Sequence, residues 1–117
     1  MAPLADVRFE TIDGVVVARL EGEVDMSNAD DLGDAITARV SSDALALVLD
    51  LAAVDYLDSA GIHVLFDLRE RLARRGQAIK LVLGPESPVA TALEYAGVQR
   101  TLGAAHTVQD AIESLDD

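Results

Sequence analysis

Ala44-Leu45-Ala46-Leu47-Val48-Leu49 is an unbroken apolar run, and shortly after it the chain reads Asp58-Ser59-Ala60-Gly61. A continuous apolar run bounded by polar residues is the pattern of a strand covered on both faces. The segment that follows predicts a helix over residues 59–75. Asp58 stands at its start, and Arg69, Arg71, Arg74 and Arg75 lie towards its end, the polarity that the helix dipole favours. Gly76 reads as its stop, and residues 50–57 read as a short loop between strand and helix.

Upstream, residues 7–12 and 15–20 are β-rich and are separated by Asp13-Gly14. Both turn residues tolerate positive φ, so the pair predicts a tight hairpin. After Gly22-Glu23-Val24-Asp25 a helix is expected, capped by Ser27 or Asn28. Ala29, Leu32, Ile36 and Val40 recur on one face, and Asp30, Asp31 and Asp34 lie near its positive end. Downstream, residues 78–83 predict a strand. Ser87-Pro88 reads as cap and first-turn proline of a helix that Gly97 closes. A very short strand is expected near Thr101 and Leu102. Thr107 should cap a last helix that carries Val108, Ala111, Ile112 and Leu115 on one side.

A hairpin followed by alternating strands and helices is an α/β pattern. The expected architecture is one domain spanning residues 1–117, with a core of about residues 7–115. It has a mixed sheet of four to five strands that starts with a hairpin, and about four helices. A helix joins the second and third strands, which should therefore run parallel. Asp25 and Asp58-Ser59 then fall on the same carboxyl-end edge, where open α/β sheets place their sites.

Composition narrows the function classes. Nine Lys and Arg against 21 Asp and Glu give a net charge of −12, a field that repels nucleic-acid backbones and anionic lipid. Solubility and an acidic docking surface are both served by such an excess. No apolar run reaches the ~20 residues of a membrane-spanning helix, so no membrane insertion is expected. The N-terminal residues lack a basic start and an apolar signal core. The chain has no cysteine, which removes thiol catalysis, disulfides and thiolate metal sites and fits a cytoplasmic setting.

Ser59 has two readings. Serine at a helix entrance caps backbone N–H groups; the same position is an anion site that could receive a phosphoryl group. Small Ala60 and Gly61 would leave the hydroxyl accessible. Asp25 is either a local turn and helix-start carboxylate or a contact for a partner on the Ser59 edge. Asp50 and Asp55 add charge beside it, with turn formation as their expected role. Enzyme chemistry finds no support. Ser59 is not in a G-x-S-x-G elbow, and His63 and His106 have no orienting carboxylate at fixed spacing. The glycines form no nucleotide-phosphate loop, and nothing points to a metal or other cofactor. A receiver domain would need a paired acidic site after its first strand and a lysine near its last. Here the first strand enters a hairpin, and the lone lysine, Lys80, lies inside a strand.

The chain resembles the STAS domain family, in particular the stand-alone bacterial anti-sigma factor antagonists. The resemblance rests on Gly22-Glu23-Val24-Asp25, on Leu49-Asp50-Leu51, on residues 54–62 with Asp58-Ser59-Ala60-Gly61-Ile62, and on Ser87-Pro88 leading to Leu93-Glu94-Tyr95-Ala96-Gly97-Val98. It covers about residues 7–115. It implies a single STAS-like domain that is not an enzyme. It also implies a partner that is an anti-sigma factor with GHKL-type serine kinase activity, which the unphosphorylated antagonist captures so that a sigma factor is released. Phosphorylation would fall on Ser59 and be reversed by a PP2C-type phosphatase. Asp25, Ser27, Asn28, Asp58, Ala60, Gly61 and Ile62 would form the contact surface, on a monomer or weak dimer. Ala60 departs from members with a second serine, leaving Ser59 as the hydroxyl of the motif. The other reading within the family is an unphosphorylated scaffold subunit of a lipid-transport ATPase or stress-signalling complex.

Overall fold

The computed structural model describes residues 5–115; residues 1–4, which begin the N-terminal stretch read above, and residues 116–117 lie outside that description. Two strands meet through the predicted turn. β1 (Ala5–Ile12) and β2 (Val15–Val24) pair antiparallel from Ala5↔Gly22 to Ile12↔Val15. Asp13 and Gly14 both take positive φ, 51° and 81°, as a tight hairpin turn requires. β2 runs four residues beyond its predicted end and delivers the chain to the start of α1 (Ala29–Arg39).

Residues 46–49 of the apolar run open β3 (Ala46–Leu57), which is parallel to β2 as expected, whereas Ala44 and Leu45 precede the strand and Leu45 is 67% exposed. The second half corrects the predicted loop. Residues 50–57 stay extended and remain paired with β2, from Arg19↔Asp50 to Val24↔Leu57. Their register with β2 slips between Arg19 and Glu21 and again between Gly22 and Glu23. Each slip inserts an extra β3 residue and breaks the in–out alternation by which a strand is recognised. These irregularities made a strand look like a loop.

From Leu57 the chain turns into α2 (Ser59–Ala73), packs back as β4 (Ala78–Val82), and continues through α3 (Ala90–Tyr95) and α4 (Val98–Leu102). β5 (Ala104–Ala105) and α5 (Val108–Ser114) complete the described chain. Strand order is β1-β2-β3-β4-β5, with β3, β4 and β5 added in parallel. Three expectations shift here. The short strand forms at Ala104 and Ala105, while Thr101 and Leu102 end α4. Gly97, with φ of 74°, separates α3 from α4, so the described residues form five helices where about four were expected. The Ser87 hydroxyl accepts a 3.4 Å bond from the Val89 N–H ahead of α3, whose N-cap is Val89.

Helices cover both faces of the sheet. On one face α1, α2, α3 and α4 enclose a core that includes Ala18, Leu20, Ile36, Leu49, Leu51, Leu68 and Leu72. On the other, Ala111 of α5 joins Val15, Val17, Val48 and Val82, with Val108, Ile112 and Leu115 packed around them. This is the face predicted for α5, capped by the Thr107 hydroxyl, which accepts from the Asp110 N–H at 3.0 Å. Gly33 lets α1 approach α2 closely, since a Cβ there would lie 3.1 Å from Val64 Cγ1. Because β2 and β3 are parallel and each leads into one of these helices, the N-termini of α1 and α2 lie at one edge of the sheet.

Candidate functional site at the carboxyl edge

β2 and β3 end side by side, at Val24 and Leu57, so the turns that leave them are neighbours. The Asp58 N–H donates to the Val24 carbonyl at 3.2 Å, extending the contact one residue past the sheet. The Asp58 carboxylate then joins three groups. Oδ1 accepts from the N–H groups of Ala60 and Gly61 at 2.9 and 3.1 Å, which caps α2. Oδ2 accepts from the Met26 N–H at 3.2 Å, which fastens the β2–α1 turn to the start of α2.

Asp58 is therefore the N-cap, and Ser59 is the first helical residue. This corrects the capping reading of Ser59: the neighbouring carboxylate meets the exposed helix donors before the hydroxyl can. Ser59 is exposed, and its hydroxyl takes no part in the hydrogen bonds that organise the turn. Ala60 and Ile62 are half-buried against the core. Gly61 is buried for a reason of packing. A Cβ at this position would sit 2.5 Å from Leu57 Cδ1 and 3.1 Å from Val24 Cγ1. Its small size thus lets α2 begin directly above the two strand ends.

The β2–α1 turn is organised by Asp25 and Asn28. Asp25 Oδ1 accepts from the Ser27 N–H at 2.8 Å and from the Ser27 hydroxyl at 2.6 Å. These bonds, the hydroxyl's first, hold the Asp25 carboxyl below the usual aspartate range against a small opposing effect of desolvation. Asn28 holds the N-cap position of α1, yet its side chain caps no helical N–H. Its Oδ1 instead accepts from the Asp25 N–H at 3.0 Å, and its Nδ2 donates to the Glu23 carbonyl at 2.9 Å. The Asp25 carbonyl accepts from the N–H groups of Asn28 and Ala29. Asp25 builds this turn, and it lies on the same edge of the sheet as Ser59.

The structure thus brings Asp25, Ser27, Asn28, Asp58, Ser59, Ala60, Gly61 and Ile62 to adjoining turns and the first turn of α2. Asp50 does not join them. It lies mid-strand opposite Arg19, pairs with that arginine at 3.5 Å, and accepts from the Ala52 N–H at 3.0 Å. Asp55 is exposed at the second register slip and stays near the edge. His63 is exposed on α2.

Two apolar residues at this edge escaped the sequence argument. Met26, in the turn held by Asp58, is 84% exposed, and Tyr56, one residue from the end of β3, is 50% exposed. Met26 could have been noticed as an apolar residue inside an otherwise polar Asp25–Asn28 turn. Tyr56 could not, since the register slip decides which way it faces. Among the described residues no cluster of three or more His, Asp or Glu side chains is placed to hold a metal ion, and no helix is long and apolar enough to cross a membrane.

The sequence pattern of the STAS domain matches residues 6–111. The chain belongs to the STAS domain family. It is 33% identical to the anti-sigma-F factor antagonist RsfB of Mycobacterium tuberculosis over 103 residues, covering 87% of this chain and 82% of that protein. Its STAS fold is similar to the crystal structure of an anti-sigma factor antagonist from Mycobacterium paratuberculosis. The TM-score there is 0.85 at 31% identity, covering 97% of this chain and 95% of the other. The anti-sigma factor antagonist SpoIIAA in its unphosphorylated form shares the fold, with a TM-score of 0.77 at 18% identity and coverage of 95% and 96%. In this STAS domain the Asp58–Ser59 step is where the second parallel strand of the sheet hands over to its helix.

Proposed function

We propose that this chain is an anti-sigma factor antagonist whose capture of its partner is switched off by phosphorylation of Ser59. The observation that carries the reading is an exposed Ser59 hydroxyl beside an edge already crowded with fixed acceptors. The names of the relatives that match most of the chain support the partner class, an anti-sigma factor. A GHKL-type serine kinase activity in that partner and a PP2C-type phosphatase acting in reverse complete the cycle.

The geometry suggests how the switch acts. A phosphate at a helix N-terminus is ordinarily stabilised by free N–H groups. Here the Ala60 and Gly61 N–H groups are already taken by Asp58. A phosphate on Ser59 therefore adds charge beside Asp58 and near Asp25 without gaining those donors, and it acts on docking more than on the fold. Met26 and Tyr56 supply the apolar contacts that a polar rim surrounds in a typical interface.

The test combines the chain, ATP and a candidate anti-sigma factor kinase, read by intact mass. One added phosphate is expected, absent from Ser59→Ala, and Ser59→Asp should bind the unmodified partner more weakly. A phosphate on another residue, or full binding by Ser59→Asp, would overturn the switch.

A further inference from the structure

We propose that β1 is an interface between two copies of this chain, each β1 pairing antiparallel with the other about a two-fold axis at Phe9. The proposal does not rest on the Ser59 reading. β1 is the outer strand of the sheet, eight residues long, bonded to β2 on one side with no described strand on the other. Such an edge presents backbone N–H and C=O groups that a further strand can meet. In a two-residue hairpin the residues flanking the turn exchange hydrogen bonds with each other. With Ile12↔Val15 as that pair, Asp6, Arg8 and Glu10 turn their backbone groups towards β2. Val7, Phe9 and Thr11 then turn theirs to the free edge.

Charge selects the occupant. Asp6, Arg8 and Glu10 are exposed and share one face of β1. Arg8 lies directly across from Arg19, a like-charge pairing that is unfavourable on a sheet. Arg19 relieves it by pairing with Glu10 and Asp50. Among the described residues Arg8 forms no ion pair. α5 packs on β3, β4 and β5, so the Arg8 face of β1 lies beyond the helix.

A second copy supplies what Arg8 lacks. With Phe9 opposite Phe9 of the second copy, Arg8 meets Glu10 of that copy and Glu10 meets its Arg8. Val7 meets Thr11 at either end. These charge pairs occupy the positions without hydrogen bonds across the new ladder, where side chains approach most closely. A two-fold interface requires that residue i meet j and that j meet i; the Arg8 and Glu10 spacing satisfies this twice. A shift that centres the axis on Arg8 instead places two arginines face to face, so charge also sets the register.

The test is sedimentation of four samples over a range of concentrations: wild type, Arg8→Glu, Glu10→Arg, and an equimolar mixture of the two variants. Wild type should form a reversible dimer. Each variant alone should dimerise at least about tenfold more weakly, since two attractive pairs become repulsive. The mixture should recover the dimer, because at both contacts a carboxylate of the Arg8→Glu variant then faces a guanidinium of the Glu10→Arg variant. Recovery also shows that both variants are folded, although Glu10→Arg gives up the Arg19 ion pair. A wild type that stays monomeric, variants that dimerise as well as wild type, or a mixture without recovery would each overturn the proposal.

Discussion

The Asp58 carboxylate reaches across to the Met26 N–H at 3.2 Å while its other oxygen caps α2, so one side chain fixes two turns that are far apart in sequence. Removing it should be felt at both. Asp58→Ala should cost roughly 1–2 kcal/mol of stability, the range for a lost helix cap. Asp58→Asn separates the two roles, because its single amide oxygen can keep the cap but cannot also serve Met26 in the same way. Asp58→Asn is expected to melt close to wild type while the Met26 amide exchanges faster with solvent. A protected Met26 amide in that variant would show that the turn is held by other groups.

Phosphorylation of Ser59 should leave the fold intact. The hydroxyl contributes none of the hydrogen bonds that define the turn, and the core beneath it is set by Val24, Leu57 and Gly61. Amide shift changes on stoichiometric phosphorylation should therefore concentrate in residues 25–28 and 58–62. Shifts spread through β4 and α5 would instead indicate a conformational switch.

Gly61→Ala should destabilise the domain by roughly 1–3 kcal/mol, the usual cost of overpacking. The new methyl would press on Leu57 and Val24, the last residues of the two strands that support the site. Urea denaturation gives the value. The pairing with Leu57→Ala is informative, because the space vacated by Leu57 should recover part of the loss attributed to the methyl group. No coupling between the two substitutions would mean that the helix start relaxes by another route.

Much of this arrangement was legible in the sequence, and the failures have a common cause. The hairpin at Asp13-Gly14, the buried strand residues 46–49 and the Thr107 cap are local signals that appear as expected, while Ala44 and the exposed Leu45 of the same apolar run fall before the strand. The parallel pairing of β2 and β3 followed from the helix between them, which placed Asp25 and Asp58 on one edge. What the sequence could not resolve depended on contacts across the fold. The extended state of residues 50–57 is imposed by a partner strand with two register slips. Asp58 caps α2 through one carboxylate oxygen, and the bond of its other oxygen to the Met26 N–H, thirty-two residues away, appears only once the two turns are side by side. Gly61 looked like an access feature for the hydroxyl, and its buried packing against Leu57 became visible with the strand ends in place.

The Asp25 carboxyl offers a pH test of the same turn. The Ser27 hydroxyl and N–H lower its folded value below its unfolded one. The stabilisation they give is therefore fully present above the unfolded aspartate value and is lost as pH falls through the lower, folded one. Carboxyl-carbon chemical shifts followed from neutral to acidic pH should place Asp25 among the more acidic aspartates of the chain. Ser27→Ala removes the larger cause and should move that midpoint upward while the remaining Ser27 N–H bond keeps part of the shift. An unchanged midpoint would mean that the hydroxyl bond is not populated in solution.

Met26 and Tyr56 give the sharpest separation of binding from stability at the edge. Both are large and exposed, at 84% and 50%, so neither contributes the buried packing that a core residue would. Met26 enters the turn through its backbone N–H, which any residue but proline retains. Met26→Ala and Tyr56→Ala should therefore shift stability by no more than about 0.5 kcal/mol, as is usual for surface substitutions. If the edge docks an anti-sigma factor, at least one of them should weaken binding by more than about 1 kcal/mol, the mark of an interface anchor. Calorimetric titration of each variant against the partner, alongside its melting curve, provides the two measurements. Asp25→Ala is the contrasting variant, expected to lose both turn rigidity and affinity. Full partner affinity in the Met26→Ala/Tyr56→Ala double variant would place the docking surface elsewhere on the domain.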